Sequence, residues 1–279
     1  MLRPITVPMI LMCCLVTPVL GADTPAAFLR FQYGDSTSYG LLAGSQVIEL
    51  EGDIFGSWSR TESIHKLSDV KILTPTTPTQ VFAMAGNYRS HLSEGTIPEK
   101  FRIPQPFLKP TSCLTAHNTP IRIPSDATVV HYEAEMVVVI GKRCSKVSQE
   151  EASDYILGVT AGNDVSERVW QNDKDVKDVQ WWRAKGADTF GPVGPYILTG
   201  LDYDNLTLEL VLNGETKQKE KTDHLIHNVP KTVSFISQYV TLNPGDLIFT
   251  GTPGKTNVIA KGDTVEVHLE DMVLSNPVE

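Results

Sequence analysis

Along most of this chain, apolar and polar positions alternate in short runs separated by turn residues. Residues 28–33, 38–42 and 46–50 carry the alternation, with Gly34-Asp35 and Ala43-Gly44-Ser45 between them, and predict a small β-meander. Residues 64–68 predict a helical turn. Thr74-Pro75-Thr76-Thr77-Pro78 predicts a linker, because each proline favours extended backbone. Residues 81–85 predict a buried strand, and 101–110 a proline-rich loop with short extended pieces. The runs 131–141 and 155–162 predict strands, the first with a stretch, 136–140, apolar enough to be buried on both faces. Ser148-Gln149-Glu150-Glu151 predicts a capped helix start with an acidic first turn, and 165–173 a second helix. Strands follow at 195–199, 206–212 and 215–219, the last two joined by a hairpin at Asn213-Gly214. Asn228-Val229-Pro230 opens a helix to about residue 239, and strands at 247–250 and 264–269 close the pattern. The few helices do not alternate regularly with the strands, which predicts an α+β fold rather than a doubly wound sheet.

A length of 279 residues leaves room for one main domain plus a small accessory piece. The division expected is a small N-terminal β domain over 23–73 and a catalytic domain over 80–279. A formal charge of −9 argues against nucleic acid as a partner, and a site for an anionic substrate then needs local Arg and Lys. Residues 1–22 read as a secretory signal peptide: Arg3 is an early cation, an apolar stretch follows, and Gly21-Ala22 offers a cleavage site. Three prolines and a short apolar stretch argue against the alternative, a membrane anchor. The expectation is a secreted or periplasmic protein with no stable membrane anchor after cleavage. Cys113 and Cys144 would remain, either paired or buried as small hydrophobes.

The chemistry concentrates in three places. Glu133 and Glu135 stand at alternate positions at the head of the run 131–141, and Asp164 closes the run 155–162. Alternate strand positions share a face, and a neighbouring strand end can bring the third carboxylate to them. Such hard oxygen ligands, with no cysteine nearby, suit Mg²⁺, Mn²⁺ or Ca²⁺ rather than zinc. The alternatives are polar positions on an open strand face and, for Asp164, a helix cap. Lys185 is a candidate neighbour to offset the excess negative charge, against the alternative of a solvated surface lysine. In the second place, His91 and Glu94 are three residues apart, so one helical turn would join them as an acid/base pair. The third is Thr250-Gly251-Thr252-Pro253-Gly254, a loop able to offer hydroxyls and N–H groups to a carboxylate.

In order along the chain, these pieces resemble the fumarylacetoacetate hydrolase family. The matching segments are Ala85-Gly86-Asn87-Tyr88 with His91 and Glu94, Phe107-Leu108-Lys109-Pro110, Tyr132-Glu133-Ala134-Glu135 with Ile140-Gly141-Lys142, Gly162-Asn163-Asp164-Val165-Ser166 with Arg168, the stretch 180–195, and Thr250-Gly251-Thr252-Pro253. The resemblance implies a mixed β-sheet roll, usually dimeric, here expected as a homodimer. It implies Mg²⁺ or Mn²⁺ held by Glu133, Glu135 and Asp164, a His91–Glu94 acid/base pair on a lid, and Lys185 polarising a substrate oxygen. It places Gln180 and Thr252 near the substrate, with Arg89 a candidate for its carboxylate. The activity implied is hydrolytic C–C cleavage of a small oxo acid or 1,3-diketo acid, of the acylpyruvate or fumarylacetoacetate type, through an enolate. An oxaloacetate-type decarboxylase, a keto–enol isomerase or hydratase, and a non-catalytic oxo-acid-binding protein are the rivals. In Thr252-Pro253-Gly254-Lys255-Thr256 many relatives carry small residues after the glycine, so Lys255 either alters the substrate end of the pocket or is solvated, and a signal peptide is unusual for the family.

Overall fold

The computed structural model describes residues 26–92 and 97–279. The expected signal peptide, 1–22, and Glu94 lie outside the described residues. In chain order the strands are β1 (Ala27–Tyr33), β2 (Ser36–Ala43), β3 (Gln46–Gly52), β4 (Trp58–Lys66), β5 (Lys71–Ile72), β6 (Val81–Met84), β7 (Pro106–Lys109), β8 (Leu114–Thr115) and β9 (Val130–His131). They continue as β10 (Ala134–Ile140), β11 (Ile156–Asn163), β12 (Ser166–Glu167), β13 (Gly191–Leu198), β14 (Thr207–Leu212), β15 (Glu215–Lys221), β16 (Leu247–Phe249), β17 (Thr264–Leu269) and β18 (Met272–Pro277). The α-helices among the described residues are α1 (Arg168–Asn172) and α2 (Val229–Ser237). None of these helices is long and apolar enough to cross a membrane.

A 12-stranded sheet runs β4-β3-β2-β1-β13-β11-β10-β16-β6-β7, with β5 on β1 and β8 on β13. It is mixed, since β16 runs parallel to β6 and β13 parallel to β8. A 4-stranded sheet, β15-β14-β17-β18, packs on one face, and β9 pairs with β12 as a separate short ribbon. The fold is therefore α+β, dominated by sheet. The N-terminal meander is not an isolated unit, because Ala27 and Phe28 pair with Leu198 and Ile197 of β13. The segment 74–78 is likewise no free linker. Thr76 is buried and donates to the Gly245 carbonyl at 2.7 Å, while Asp246 accepts from the N–H groups of Thr79 and Gln80 at 2.8 and 3.0 Å.

Strand β10 is buried at every position. Met136, Val138 and Ile140 pack with Leu208, Leu210, Val265 and Val267 of the smaller sheet. Val137 and Val139 point the other way, toward Phe249, Ala83 and the meander residues Phe28, Leu41 and Leu50. This two-sided burial answers the unbroken apolar run in the sequence. Opposite β10 on β11, Glu135 faces Gly162 and Val139 faces Gly158. A Cβ on Gly162 would sit 2.5 Å from Val137 Cγ2 and 2.6 Å from the Phe249 ring, so glycine lets that ring close against the ladder.

Several expected elements differ. The run 131–141 breaks at Tyr132-Glu133: His131 pairs with Ser166, whereas β10 from Ala134 onward pairs with β11. At the break the Glu133 N–H goes to the side chain of Asn163 (2.9 Å) instead of a strand carbonyl. Residues 64–66 belong to β4, because Ile64 pairs with Ile48 across the ladder and pairing overrides local preference, and the expected helical turn forms just after it as a 3₁₀ turn over Leu67–Asp69. Ser148 and Glu151 do make reciprocal capping bonds, at 3.2 and 3.3 Å. Only a 3₁₀ turn (Ala152–Tyr155) follows, since Ile156 already enters β11. The helix expected at 165–173 shrinks to α1, because Ser166 and Glu167 are taken by β9. Asn213 and Gly214, both at positive φ (53° and 82°), form the expected hairpin turn between β14 and β15. Cys113 and Cys144 are buried and unpaired.

Replacing Gly162 by alanine should lower stability by about 1–3 kcal/mol through overpacking. Urea unfolding followed by circular dichroism should show a lower midpoint with unchanged slope; an unshifted midpoint would mean that the Phe249 ring moves freely.

Candidate metal and substrate site

Two neighbouring strands build the acidic cluster. Ala134 of β10 pairs with Asn163 of β11, so Glu133 and Asp164, one residue beyond on each strand, are also opposite each other, and the Asp164 N–H donates to the Glu133 carbonyl at 2.9 Å. Glu135 is two residues on along β10. Ligand atoms of Glu133, Glu135 and Asp164 all lie within 4.8 Å of one another, and all three residues are buried. Asp164 caps no helix; Glu167 takes that place, accepting the Trp170 N–H at 2.6 Å.

Three cations meet these carboxylates. The Lys185 ammonium bridges Glu133 Oε2 (2.6 Å) and Asp164 Oδ2 (2.7 Å). Lys109, fully buried on β7, donates to Asp164 Oδ1 at 2.6 Å and to the carbonyls of Lys185 and Phe190. Arg168, at the start of α1, donates from Nη2 to Glu133 Oε1 at 2.7 Å. Sequence reasoning assigned no role to Lys109 or to Arg168. A lysine inside the strand Phe107-Leu108-Lys109-Pro110 was the available signal, since burying an ammonium requires a partner.

These neighbours push the carboxylates apart. Burial alone would raise Glu133, but Lys185 and Arg168 outweigh it and hold its carboxyl well below the usual range. Burial, reinforced by the negative charges of Asp164 and Glu133, raises Glu135 well above its ordinary value. Its one backbone donor, the Gly251 N–H at 2.7 Å, does not offset this. For Lys109 the pull of Asp164 outweighs the burial penalty and raises its pKa. A buried carboxyl whose ionisation is opposed first by burial and then by two anionic neighbours is a position that a hard divalent cation would satisfy. The donor set therefore fits Mg²⁺ or Mn²⁺.

The loop after β16 closes the other side. Thr250 donates to the Met136 carbonyl (2.8 Å), and Asn87 donates to the Thr250 carbonyl (2.7 Å). Gly251, at φ +105°, leaves no room for a Cβ, which would lie 2.8 Å from Asn87 Cβ. Gln218 of β15, buried and unremarked in the sequence, accepts from the Ala134 N–H between the two glutamates (3.1 Å) and donates to Thr252 Oγ1 (3.0 Å). One amide thus ties the acidic strand to the Thr252 loop.

A cavity of about 410 Å³ opens beside the cluster. Glu133, Arg168, Gln171, Lys185, Thr252 and His91 line it together with Lys100 and Asn172, and Phe101, Phe107 and Trp181 are prominent in the apolar part. A larger hollow of about 800 Å³, between residues 45–72 and 117–119, holds none of these chemical groups. His91 sits on a 3₁₀ turn (Arg89–His91), and its Nδ1 meets the Gly254 carbonyl at 2.7 Å. A carbonyl only accepts, so Nδ1 carries the proton and Nε2 keeps its lone pair. The turn ends at Leu92, which is extended, so the helical spacing that would join His91 to Glu94 does not continue; Glu94 itself lies outside the described residues. Arg89 and Gln180 are exposed and do not line the cavity; Gln171, one turn along α1 from Arg168, is the glutamine that does. Lys255 is solvent-exposed. His131 faces Thr256 rather than the cluster (2.9 Å), and burial together with the Arg168 charge pushes it down to about 4.

Comparison with known proteins agrees with this architecture. A family model for the fumarylacetoacetate (FAA) hydrolase C-terminal region matches residues 80–279, and one described as Rv2993c-like, N-terminal, matches 27–75. Protein Rv2993c of Mycobacterium tuberculosis is 44% identical over 230 residues, covering 80% of this chain and 84% of its own. The crystal structure of 2-hydroxyhepta-2,4-diene-1,7-dioate isomerase from Mycobacterium marinum is 39% identical, covers 91% of this chain and 98% of its own, and superposes with a TM-score of 0.82. That of maleylpyruvate hydrolase from Sphingobium sp. SYK-6, in complex with manganese(II) ion and pyruvate, is 25% identical, covers 90% and 98%, and gives 0.72.

Lys109→Met should destabilise the protein by about 3–5 kcal/mol, because Asp164 loses a buried partner; chemical denaturation measures it, and a loss under ~1 kcal/mol would show that Lys185 alone compensates Asp164. The raised Glu135 pKa carries a sign. A carboxyl raised on folding gives stability present below the unfolded value of 4.5 and lost as pH rises through its folded value. A divalent ion replaces that proton, so the melting-temperature gain from Mg²⁺ should grow from pH 5 to pH 8. A gain independent of pH would mean that Glu135 takes no part.

Proposed function

The chain belongs to the fumarylacetoacetate hydrolase family, and from that premise we propose that it is a divalent-metal enzyme cleaving a C–C bond in a small 2-oxo or 1,3-diketo acid. The observation that carries the reading is the convergence of Glu133, Glu135 and Asp164 beside a cavity that Glu133 lines together with Arg168, Lys185 and His91. Glu133, Glu135 and Asp164 would hold Mg²⁺ or Mn²⁺, which when bound supplies Lewis-acid stabilisation of negative charge on substrate oxygens.

Charge counting supports an anionic substrate. Lys109, Lys185 and Arg168 already match the three carboxylates, so the charge of an added cation remains to be met by a ligand. A 2-oxo carboxylate or an enolised diketo acid meets it. Arg168 binds and orients the carboxylate end. Lys185 holds its ammonium where negative charge grows on the attacked carbonyl. His91, with Nδ1 fixed on the Gly254 carbonyl, offers Nε2 to take a proton from water as it attacks the distal carbonyl. Phe101, Phe107 and Trp181 exclude bulk water from the rest of the substrate.

A keto–enol isomerase is the second reading, favoured by the 39% identity to the Mycobacterium marinum isomerase. The same residues serve it: His91 would move a proton between carbon and oxygen without activating water. The two readings separate by product. Purified protein with Mg²⁺ and a panel of acylpyruvates, oxaloacetate and fumarylacetoacetate, read by mass spectrometry, should yield cleaved acids under the first reading and unchanged mass under the second. Ultraviolet absorbance follows the enol form in the second case. His91→Ala should lower the rate by about 10²–10⁴-fold while Mg²⁺ still raises the melting temperature. Full activity in that variant would remove His91 from the chemistry.

A further inference from the structure

The Arg168 guanidinium is held by more than its carboxylate. Nη2 donates to Glu133 Oε1 and also to Thr256 Oγ1, each at 2.7 Å, and Nη1 donates to Gln171 Oε1 at 2.7 Å. Thr256 Oγ1 in turn lies 2.9 Å from His131 Nδ1. One direction pairs every group of this chain with another of its members. Arginine only donates, so Thr256 accepts from it, and the single hydroxyl proton of Thr256 is left to donate. Its acceptor among the described residues is His131 Nδ1, so His131 carries its proton on Nε2. His131 is itself anchored twice, by pairing with Ser166 in the β9–β12 ribbon and by a bridge to Val258 in the Thr256 loop.

The lining of the cavity by Arg168 gives the chain its meaning. A guanidinium bound only to Glu133 could swing about that contact; one bound also to Thr256 is held in a single orientation. We propose that Thr256, oriented by His131, is a positioning residue that fixes Arg168 for the carboxylate end of the substrate. The inference deepens the oxo-acid reading and rests on it.

The test uses the full chain loaded with Mg²⁺, pyruvate as the probe, and two variants. Thr256→Val keeps the shape and removes both hydrogen bonds; Thr256→Ser keeps the hydroxyl. By calorimetry, Thr256→Val should bind pyruvate about tenfold more weakly, the loss of one charge-assisted hydrogen bond, and Thr256→Ser should stay within about twofold of wild type. In steady state the valine variant should raise KM more than it lowers kcat. Nitrogen-15 NMR of wild type should show His131 with its proton on Nε2 and a hydrogen-bonded Nδ1, a bond absent in the valine variant. Equal pyruvate affinity in Thr256→Val and wild type, a serine variant as weak as the valine one, or a His131 proton on Nδ1 each overturns the proposal. Failure of the oxo-acid reading looks different: wild type itself then gives no pyruvate heat, and the affinity role of Thr256 falls with it.

Discussion

Everything at the centre of this molecule follows from burying three carboxylates within 4.8 Å of one another. Each anion taken from water costs several kcal/mol unless it is paired, and repulsion among the three adds to that. The protein answers with Lys109, Lys185 and Arg168, brought from a sheet-edge strand, a loop and the start of a short helix. The answer is uneven. Glu133 and Asp164 receive the cations, while Glu135 receives a single backbone N–H and its carboxyl is pushed well above the ordinary range by burial and by its anionic neighbours. That imbalance leaves one ligand waiting for a cation that the protein does not supply.

The sheet architecture exists to make this clustering tolerable. In-register pairing of β10 and β11 puts Glu133 against Asp164 without strain in either strand. Two-sided packing of β10 makes the ladder rigid, and Gly162 lets the Phe249 ring close over it. Lys109 lies 5.8 Å from the centre of that ring, so the residue that tightens the core also faces the buried ammonium. The loop after β16 is held in turn by Asn87 and Gln218, which reach in from separate parts of the chain. Positioning of the site is thus shared among elements that are far apart in sequence, in keeping with a cavity walled by several loops.

The cavity has a polar end and an aromatic end, and the two were built by different means. Ion pairs fix the polar end, whose groups cannot move without exposing charge to a low-dielectric interior. The aromatic end rests on ring packing: Phe107 meets Trp181 edge to face with centroids 5.3 Å apart. Phe101 closes on Gly86, where a Cβ would lie 2.6 Å from the ring.

Much of this was legible in the sequence. Alternate glutamates at the head of an unbroken apolar run read as a buried strand with charges at its mouth, and a second apolar run ending in aspartate invites pairing with it. The Asn213-Gly214 hairpin and the Pro230 helix start were fixed locally, by φ preference and by the missing N–H of proline. What the chain could not announce was every contact between distant segments. Neither the pairing of β1 with β13, which merges the meander into the main sheet, nor the choice of Gln171 over Gln180, nor the Thr256–Arg168 bond has a local signature. Local sequence sets backbone preference and hydrophobic period. Which cation meets which carboxylate is decided only when folding removes water and leaves each charge with the neighbours that the topology provides.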